Sequence, residues 1–143
     1  MKAQLIMIFK RFLARRKPEI IKYSRSEERR RRAQEAIRIW VRENRWTEDA
    51  TLSEVAQSLD IDKDYMSKVF RKRYGKCFLQ WRKEMRIEEA KRIMAKDKNM
   101  PTALVADAVG ISDKSNFKRQ FRDLNGCTPA QWRLKQQLKV GGK

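Results

Sequence analysis

Apolar residues along this chain recur three or four positions apart, in short blocks separated by glycine, proline or a side chain able to cap a helix. From Thr51 the blocks are most regular. Leu52, Val55, Ala56 and Leu59 share one helical face, with Thr51 or Ser53 as the cap. Asp60 stands at a turn that needs a left-handed residue, a conformation Asp tolerates at some cost. Asp62 then caps a helix from Lys63 to Tyr74 whose inward residues are Met66, Val69 and Phe70, and Gly75 ends it. A longer helix is predicted over about Leu79 to Lys96, with Trp81, Met85, Ala90, Ile93 and Met94 on its apolar side. At 1.5 Å per residue it spans roughly 27 Å, enough for a rigid connector. Pro101 opens a further short helix carrying Leu104, Val105, Ala108 and Val109. Gly110 supplies its turn and Ser112 caps the next helix, Lys114 to Asn125, with Phe117, Phe121 and Leu124 inward. Gly126 stops that helix, Pro129 to about Lys139 closes the fold, and Gly141 to Lys143 are expected to fray. No alternating run or hairpin turn predicts a strand, so the fold class is all-α.

The second half of this pattern repeats the first. FRKRYGKCFLQWR at 70–82 and FRDLNGCTPAQWR at 121–133 share Phe, Arg, Gly, Gln, Trp and Arg at an offset of 51, and VAQSLDI at 55–61 matches VADAVGI at 105–111 at an offset of 50. Chance identity at six of thirteen positions, with both aromatics included, explains this poorly. Each copy is two short helices joined by a tight turn, the helix-turn-helix pattern. Small Ala56 and Ala106 permit close approach of the paired helices, and Phe70 and Phe121 lock the second helix of each pair to the core. Trp81 and Trp132 each precede an arginine at the same place in a helix, which favours core over base stacking.

Ahead of the repeat, residues 26–45 predict one helix with Ser26 as cap and Glu27 and Glu28 in the first turn, where negative charge suits the dipole. Ile37, Trp40, Val41 and Asn44 share a face, so Trp40 anchors this helix to the next unit. Arg29 to Arg32 read as a solvated face or as a reach towards phosphates. Residues 1–25 form a basic arm. Leu5, Phe9, Phe12 and Leu13 fall near helical spacing among Lys10, Arg11, Arg15, Arg16 and Lys17, until Pro18 interrupts. The arm reads as a solvated extension, a membrane-surface segment, or the end of a truncated membrane helix.

Charge narrows the function classes. Of 143 residues, 36 are Lys or Arg and 18 are Asp or Glu, a formal net charge of +18. That favours a polyanionic partner: DNA, RNA or an anionic membrane. Residues 1–46 carry 15 basic and 5 acidic residues and residues 47–143 carry 21 and 13, so the arm is the more extreme part. Histidine is absent, which excludes His-based acid–base catalysis. Cys77 and Cys127 form no CxxC and are not equivalent in the repeat, so neither a zinc site nor a disulfide framework is expected. No metal or cofactor is expected. No apolar run is long enough to span a membrane by itself. The two cysteines are expected to stay reduced, as in a cytosolic protein, so a cytoplasmic location is expected.

If Met66, Val69 and Phe70 face inward, the outward stripe of the first unit is Lys63, Asp64, Ser67, Lys68, Arg71 and Lys72. In the second it is Lys114, Ser115, Lys118, Arg119 and Arg122. Early positions on such helices reach base edges, and later basic ones sit nearer phosphates. Base contacts are therefore expected from Lys63, Asp64, Ser67, Lys68, Lys114, Ser115, Lys118 and Arg119, with Arg119 able to pair bidentately with guanine. Phosphate contacts are expected from Arg71, Lys72 and Arg122. Asp64 is costly near DNA unless it accepts from a cytosine amino group or orients a basic neighbour.

Residues about 35–139 closely resemble the DNA-binding domain of the AraC/XylS family of bacterial regulators. The most specific stretch is VADAVGISDKSNFKRQFRDLNGCTPAQWR at 105–133, and RIEEAKRIM at 86–94 is similar to the family's linker helix. Ile111 replaces the usual Phe after Gly110, and Asp60 replaces the usual Gly of the first turn. The resemblance implies two helix-turn-helix subdomains joined by a long linker helix: a first unit at about 26–78, the linker at 79–96 and a second unit at 97–140. It implies a transcription regulator with double-stranded DNA as partner, and RNA polymerase as its protein partner. Both recognition helices would enter successive major-groove segments of an asymmetric site, about 34 Å apart, with some bending. DNA-repair methyltransferases carry a similar domain, but their zinc–cysteine module has no counterpart here, so no enzyme is expected. Nor is a small-molecule site. The family's usual effector domain does not fit in residues 1–34, which implies either a stand-alone regulator or the C-terminal part of a longer, membrane-anchored one. The rival readings are a sequence-indifferent architectural or RNA-directed binder, and a membrane-surface protein acting through residues 1–17.

Overall fold

The computed structural model describes residues 2–15 and 24–141, and among them every regular element is helical. The expectations for Arg16, Lys17, Pro18, Gly142 and Lys143 lie outside the described residues, as do those for the side chains of Phe9 to Arg15. The chain divides into two compact units, Met1–Arg32 and Ala33–Lys143.

The first unit holds α1 (Lys2–Arg15) and the beginning of α2 (Arg25–Arg42). α2 starts two residues earlier than the cap at Ser26 predicts. Ser24 takes that role: its amide donates to Glu27 Oε2 at 2.7 Å, and the Glu27 amide donates back to Ser24 Oγ at 3.3 Å. These bonds to Ser24 hold the Glu27 carboxyl below its ordinary pKa. Further along, Glu28 bridges Arg32 at 3.0 Å.

The second unit contains the rest of α2, a 3-10 turn (Arg45–Thr47), α3 (Leu52–Ser58), α4 (Lys63–Tyr74), α5 (Phe78–Lys96), α6 (Thr102–Ala108), α7 (Lys114–Asn125) and α8 (Pro129–Gly141). Here α2 stops at Arg42, because Asn44 takes a left-handed conformation at φ 56°. Asn44 is therefore exposed and off the α2 face expected for it. The early stop lets the 3-10 turn bury Trp46, which the pattern alone did not single out.

Two apolar clusters form the core. Ile37, Trp40, Trp46, Val55, Ala56, Met66, Phe70, Phe78 and Trp81 make the first. Trp40 lies 5.7 Å from Phe78 and 6.1 Å from Trp81, and Phe70 lies 5.0 Å from Trp81, ring centre to ring centre. Trp40 does anchor α2, and Trp81 is core. Ile87, Ala90, Met94, Val105, Ala106, Val109, Ile111, Phe117 and Phe121 make the second cluster, with the half-buried Trp132 at its edge. α5 feeds the first cluster from its N-terminal turns and the second from its C-terminal half. It is a shared wall of both cores as well as a connector.

Some inward assignments in the second copy change. Leu104 is 54% exposed, Ala108 is exposed and Leu124 lies at the surface; Val105, Ala106 and Val109 hold the inner face of α6 instead. Seven residues make barely two turns, so a shift of one position in register moves Leu104 and Ala108 off the buried side. The repeated Trp-Arg pair also acquires a reason. Arg82 donates through Nη1 to the Ala50 carbonyl, and Arg133 donates through Nη2 to the Met100 carbonyl. Ala50 and Met100 are equivalent positions, each just before the first helix of a helix-turn-helix pair. The same arginine thus pins the entry of each pair.

The two copies meet at Gly110. A Cβ built there would stand 1.9 Å from the Thr47 carbonyl oxygen, and the residue is also left-handed at φ 85°. No side chain fits. Its counterpart Asp60, at φ 54°, is exposed, so only the conformational cost applies and Asp is tolerated. Gly110→Ala is expected to cost roughly 3 kcal/mol, from the left-handed penalty plus the forced separation of the two copies. Gly126→Ala has the same backbone sign but open space around its Cβ, and is expected to cost only about 1 kcal/mol. Urea unfolding measures both; equal costs would contradict the close approach.

Candidate nucleic-acid interface

α4 and α7 are the second helices of the two pairs, and both start on an aspartate. The Asp62 carboxylate accepts from the Tyr65 amide at 3.0 Å. That of Asp113 accepts from the amides of Ser115 at 2.8 Å and Asn116 at 3.2 Å. Asp113, and not Ser112, is the cap of α7, because it is the last extended residue whose side chain reaches the first free amides. These bonds fix the first turn of each helix, where Lys63, Asp64, Lys114 and Ser115, the earliest of the expected base contacts, sit. Gly75 and Gly126 end both helices in the left-handed conformation.

The inner faces are fully committed. Met66 and Phe70 on α4, and Phe117 and Phe121 on α7, have no exposed surface. The opposite faces carry the expected stripes. Lys63, Asp64, Lys68, Arg71 and Lys72 are exposed and Ser67 is half-buried; Lys114, Ser115, Lys118, Arg119 and Arg122 are exposed. The structure therefore groups the residues of each stripe on one solvent face of one helix.

Among the described residues, eight cations elsewhere on the chain are paired within the protein. Arg31, Arg32, Arg38, Arg45, Lys76, Lys83, Lys91 and Arg92 each have a carboxylate at ion-pair distance. Among the described residues no ion pair includes Lys63, Lys68, Arg71, Lys72, Lys114, Lys118, Arg119 or Arg122. The positive charge on α4 and α7 is left without a partner inside the protein, as a surface for phosphates requires. Asp64 is the acid among them; its place in the first turn of α4 suits the helix dipole.

Polar neighbours beside the stripes complete the face. Asn116 Oδ1 accepts from Arg119 Nη2 at 2.9 Å and from Gln120 Nε2 at 3.1 Å, which orients the guanidinium. Tyr65 is half-buried, and its hydroxyl accepts from Gln34 Nε2 at 3.4 Å. The outward stripes read from the sequence did not include Asn116, Gln120 or Tyr65. The i, i+3 and i, i+4 spacing of Asn116 to Arg119 and Gln120 is the signal for the bonds among them.

Behind the face, α5 holds the two pairs together. Arg86 is 9% exposed; its Nε donates to the Trp46 carbonyl at 2.9 Å and its Nη2 to that of Glu48 at 2.8 Å. Burial, then the neighbouring charge of Arg82, hold the Arg86 pKa down to about 10, against an opposing pull from Asp49. It is still protonated at neutral pH. Nothing in the spacing of RIEEAKRIM marks its first arginine as buried.

A family described as a helix-turn-helix domain matches residues 55–135. The arabinose operon regulatory protein of Escherichia coli is 33% identical over 89 residues, which is 62% of this chain and 30% of that protein. The uncharacterized regulator YijO of Escherichia coli is 32% identical over 99 residues, 69% of this chain and 34% of that one. The chain thus spans about a third of the length of these curated relatives. Among solved structures, the C-terminal domain of the two-component response regulator yesN from Fusobacterium nucleatum superposes with a TM-score of 0.62. It is 29% identical and covers 71% of this chain and 97% of that domain. The DNA-binding domain of AdpA, solved with a target DNA, shares the fold at a TM-score of 0.65 and 20% identity, over 75% of this chain and 94% of that one.

Proposed function

Because the chain belongs to the AraC-type helix-turn-helix family of DNA-binding transcription regulators, we propose that it reads an asymmetric duplex site with both α4 and α7. One observation carries the proposal: two capped helices on one core, each with an outward face of unpaired cations. Lys63, Asp64, Ser67 and Lys68 serve one major-groove segment; Lys114, Ser115, Lys118 and Arg119 serve the next. Arg71, Lys72 and Arg122 lie later in the helices and take phosphates. The stripes differ in sequence, so the half-elements they read differ too. RNA polymerase is the protein partner of this reading, since a regulator bound beside a promoter acts on transcription through it.

Selection of bound duplexes from a random pool tests this. Two unlike elements about one helical turn apart are expected; no enrichment above non-specific binding would refute it. On the selected site, Arg119→Ala is expected to relax preference at one base position, costing about 1–3 kcal/mol there. Arg122→Ala is expected to weaken all sites alike and to lower the salt slope by about 1.

A second reading is favoured by α1. Leu5, Ile6, Met7 and Ile8 are 56–70% exposed, four apolar side chains in succession beside a basic arm. They support membrane association through residues 1–17. No described helix is long and apolar enough to cross a membrane, so surface binding is the form tested. The chain is expected to co-sediment with vesicles containing anionic phosphatidylserine, and the chain lacking residues 1–17 is expected not to while still binding DNA. Equal sedimentation of the two would end this reading.

A further inference from the structure

A groove of about 300 Å³ lies between α5 and α7. Arg82, Lys83 and Arg86 line it from α5, and Asn116, Arg119 and Asp123 from α7. The arginines of the α5 wall, Arg82 and Arg86, spend their hydrogen bonds on neutral carbonyls, those of Ala50, Trp46 and Glu48. Their charges are held in place without an ion pair among the described residues, and only the longer-range pull of Asp49 opposes them. Burial lowers the pKa of both, the mark of cations with too little compensation around them. Lys83 Nζ stands 3.7 Å from the Asp123 carboxylate, an ion pair longer than a hydrogen bond. Arg119 belongs both to the groove wall and to the exposed stripe of α7.

The internal repeat gives an independent reason to single out these positions. The offset that matches Trp81-Arg82 with Trp132-Arg133 sets Lys83 against Leu134 and Arg86 against Gln137. α5 and α8 are the same element in the two copies, yet only α5 carries these cations, and only α5 lies against a recognition helix of the other copy. The counterparts of Lys83 and Arg86 on α8, which faces no second recognition helix in this way, are uncharged.

We propose that this groove seats a backbone phosphate of the bound duplex, with Lys83 as its donor, and that Asp123 occupies Lys83 until DNA replaces it. The inference rests on the DNA-binding reading above. It adds α5 to the interface: a strand whose bases meet Arg119 passes the mouth of the groove, and Lys83 exchanges a loose carboxylate partner for a phosphate oxygen. Arg82 and Arg86 supply the fixed field that makes the seat positive.

The test is equilibrium binding of the full chain to its selected duplex across a salt series. Lys83→Gln is expected to weaken binding on the order of tenfold at low salt and to lower the salt slope by about 0.9, one phosphate's share. Lys83→Arg is expected to restore both. Lys96→Gln, the same charge change at the exposed end of α5, is expected to alter affinity by less than about twofold. Asp123→Asn is expected to tighten binding roughly threefold, and only while Lys83 is present. Thermal unfolding of each variant reports whether the fold is kept. The proposal is overturned if Lys83→Gln and Lys96→Gln behave alike, or if Asp123→Asn tightens binding equally without Lys83. Failure of the unaltered chain to prefer any duplex counts against the DNA-reading proposal itself.

Discussion

The guanidinium of Arg86, buried where α5 passes between the two cores, holds the carbonyls of Trp46 and Glu48 and so fixes the 3-10 turn of the first copy against the linker helix. The same turn presents the Thr47 carbonyl to Gly110, inside the second copy's helix-turn-helix. These contacts give the two copies a common reference. Hydrogen bonds to a charged group contribute about 1.5–3 kcal/mol each, and here they also satisfy acceptors that an apolar replacement leaves bare. Everything placed on α4 and α7 inherits its position from this junction. A reader with two recognition helices needs their separation fixed, since DNA presents its major-groove segments at a set interval.

The repeat divides its labour along the same line. Most of what recurs is scaffold: the phenylalanines at the cores, the glycines that end α4 and α7, and the arginines that pin Ala50 and Met100. Two sets of differences stand out. Lys63 to Lys68 against Lys114 to Arg119 is a difference between the outer faces, the one to which the proposed reading assigns base contacts. Asp60 against Gly110, and Lys83 and Arg86 against Leu134 and Gln137, are differences imposed by the junction. A duplicated unit can read an asymmetric sequence because its frame is repeated while its outer faces are not.

Much of this was legible in the sequence, for physical reasons. Helical spacing gave the elements from Thr51 onward because each has a committed apolar face and a defined stop, and the outward stripes followed from the inward ones. The errors fall where local pattern competes with neighbours in space. Asn44 looked helical and instead ends α2, because burying Trp46 requires the turn. Ser112 and Ser26 looked like caps, but Asp113 and Ser24 reach the free amides. Leu104 and Leu124 are apolar without being core, as residues near short-helix ends often are. Arg86 was illegible because its burial depends on carbonyls forty residues away in the chain. The membership of the fold family came from the repeat; the geometry that makes one reader of it came only from the structure.

α4 and α7 are held at one separation by a single frame. Spin labels on Arg73→Cys and Leu124→Cys, at the surface of the same two helices and outside both stripes, with the exposed Cys77 replaced by Ser, report that separation directly by pulsed electron resonance. One narrow distance distribution is expected in the free protein, unchanged on binding DNA and broadened when Arg86 is replaced by Met. A broad distribution in the free protein that narrows only with DNA would contradict the single frame.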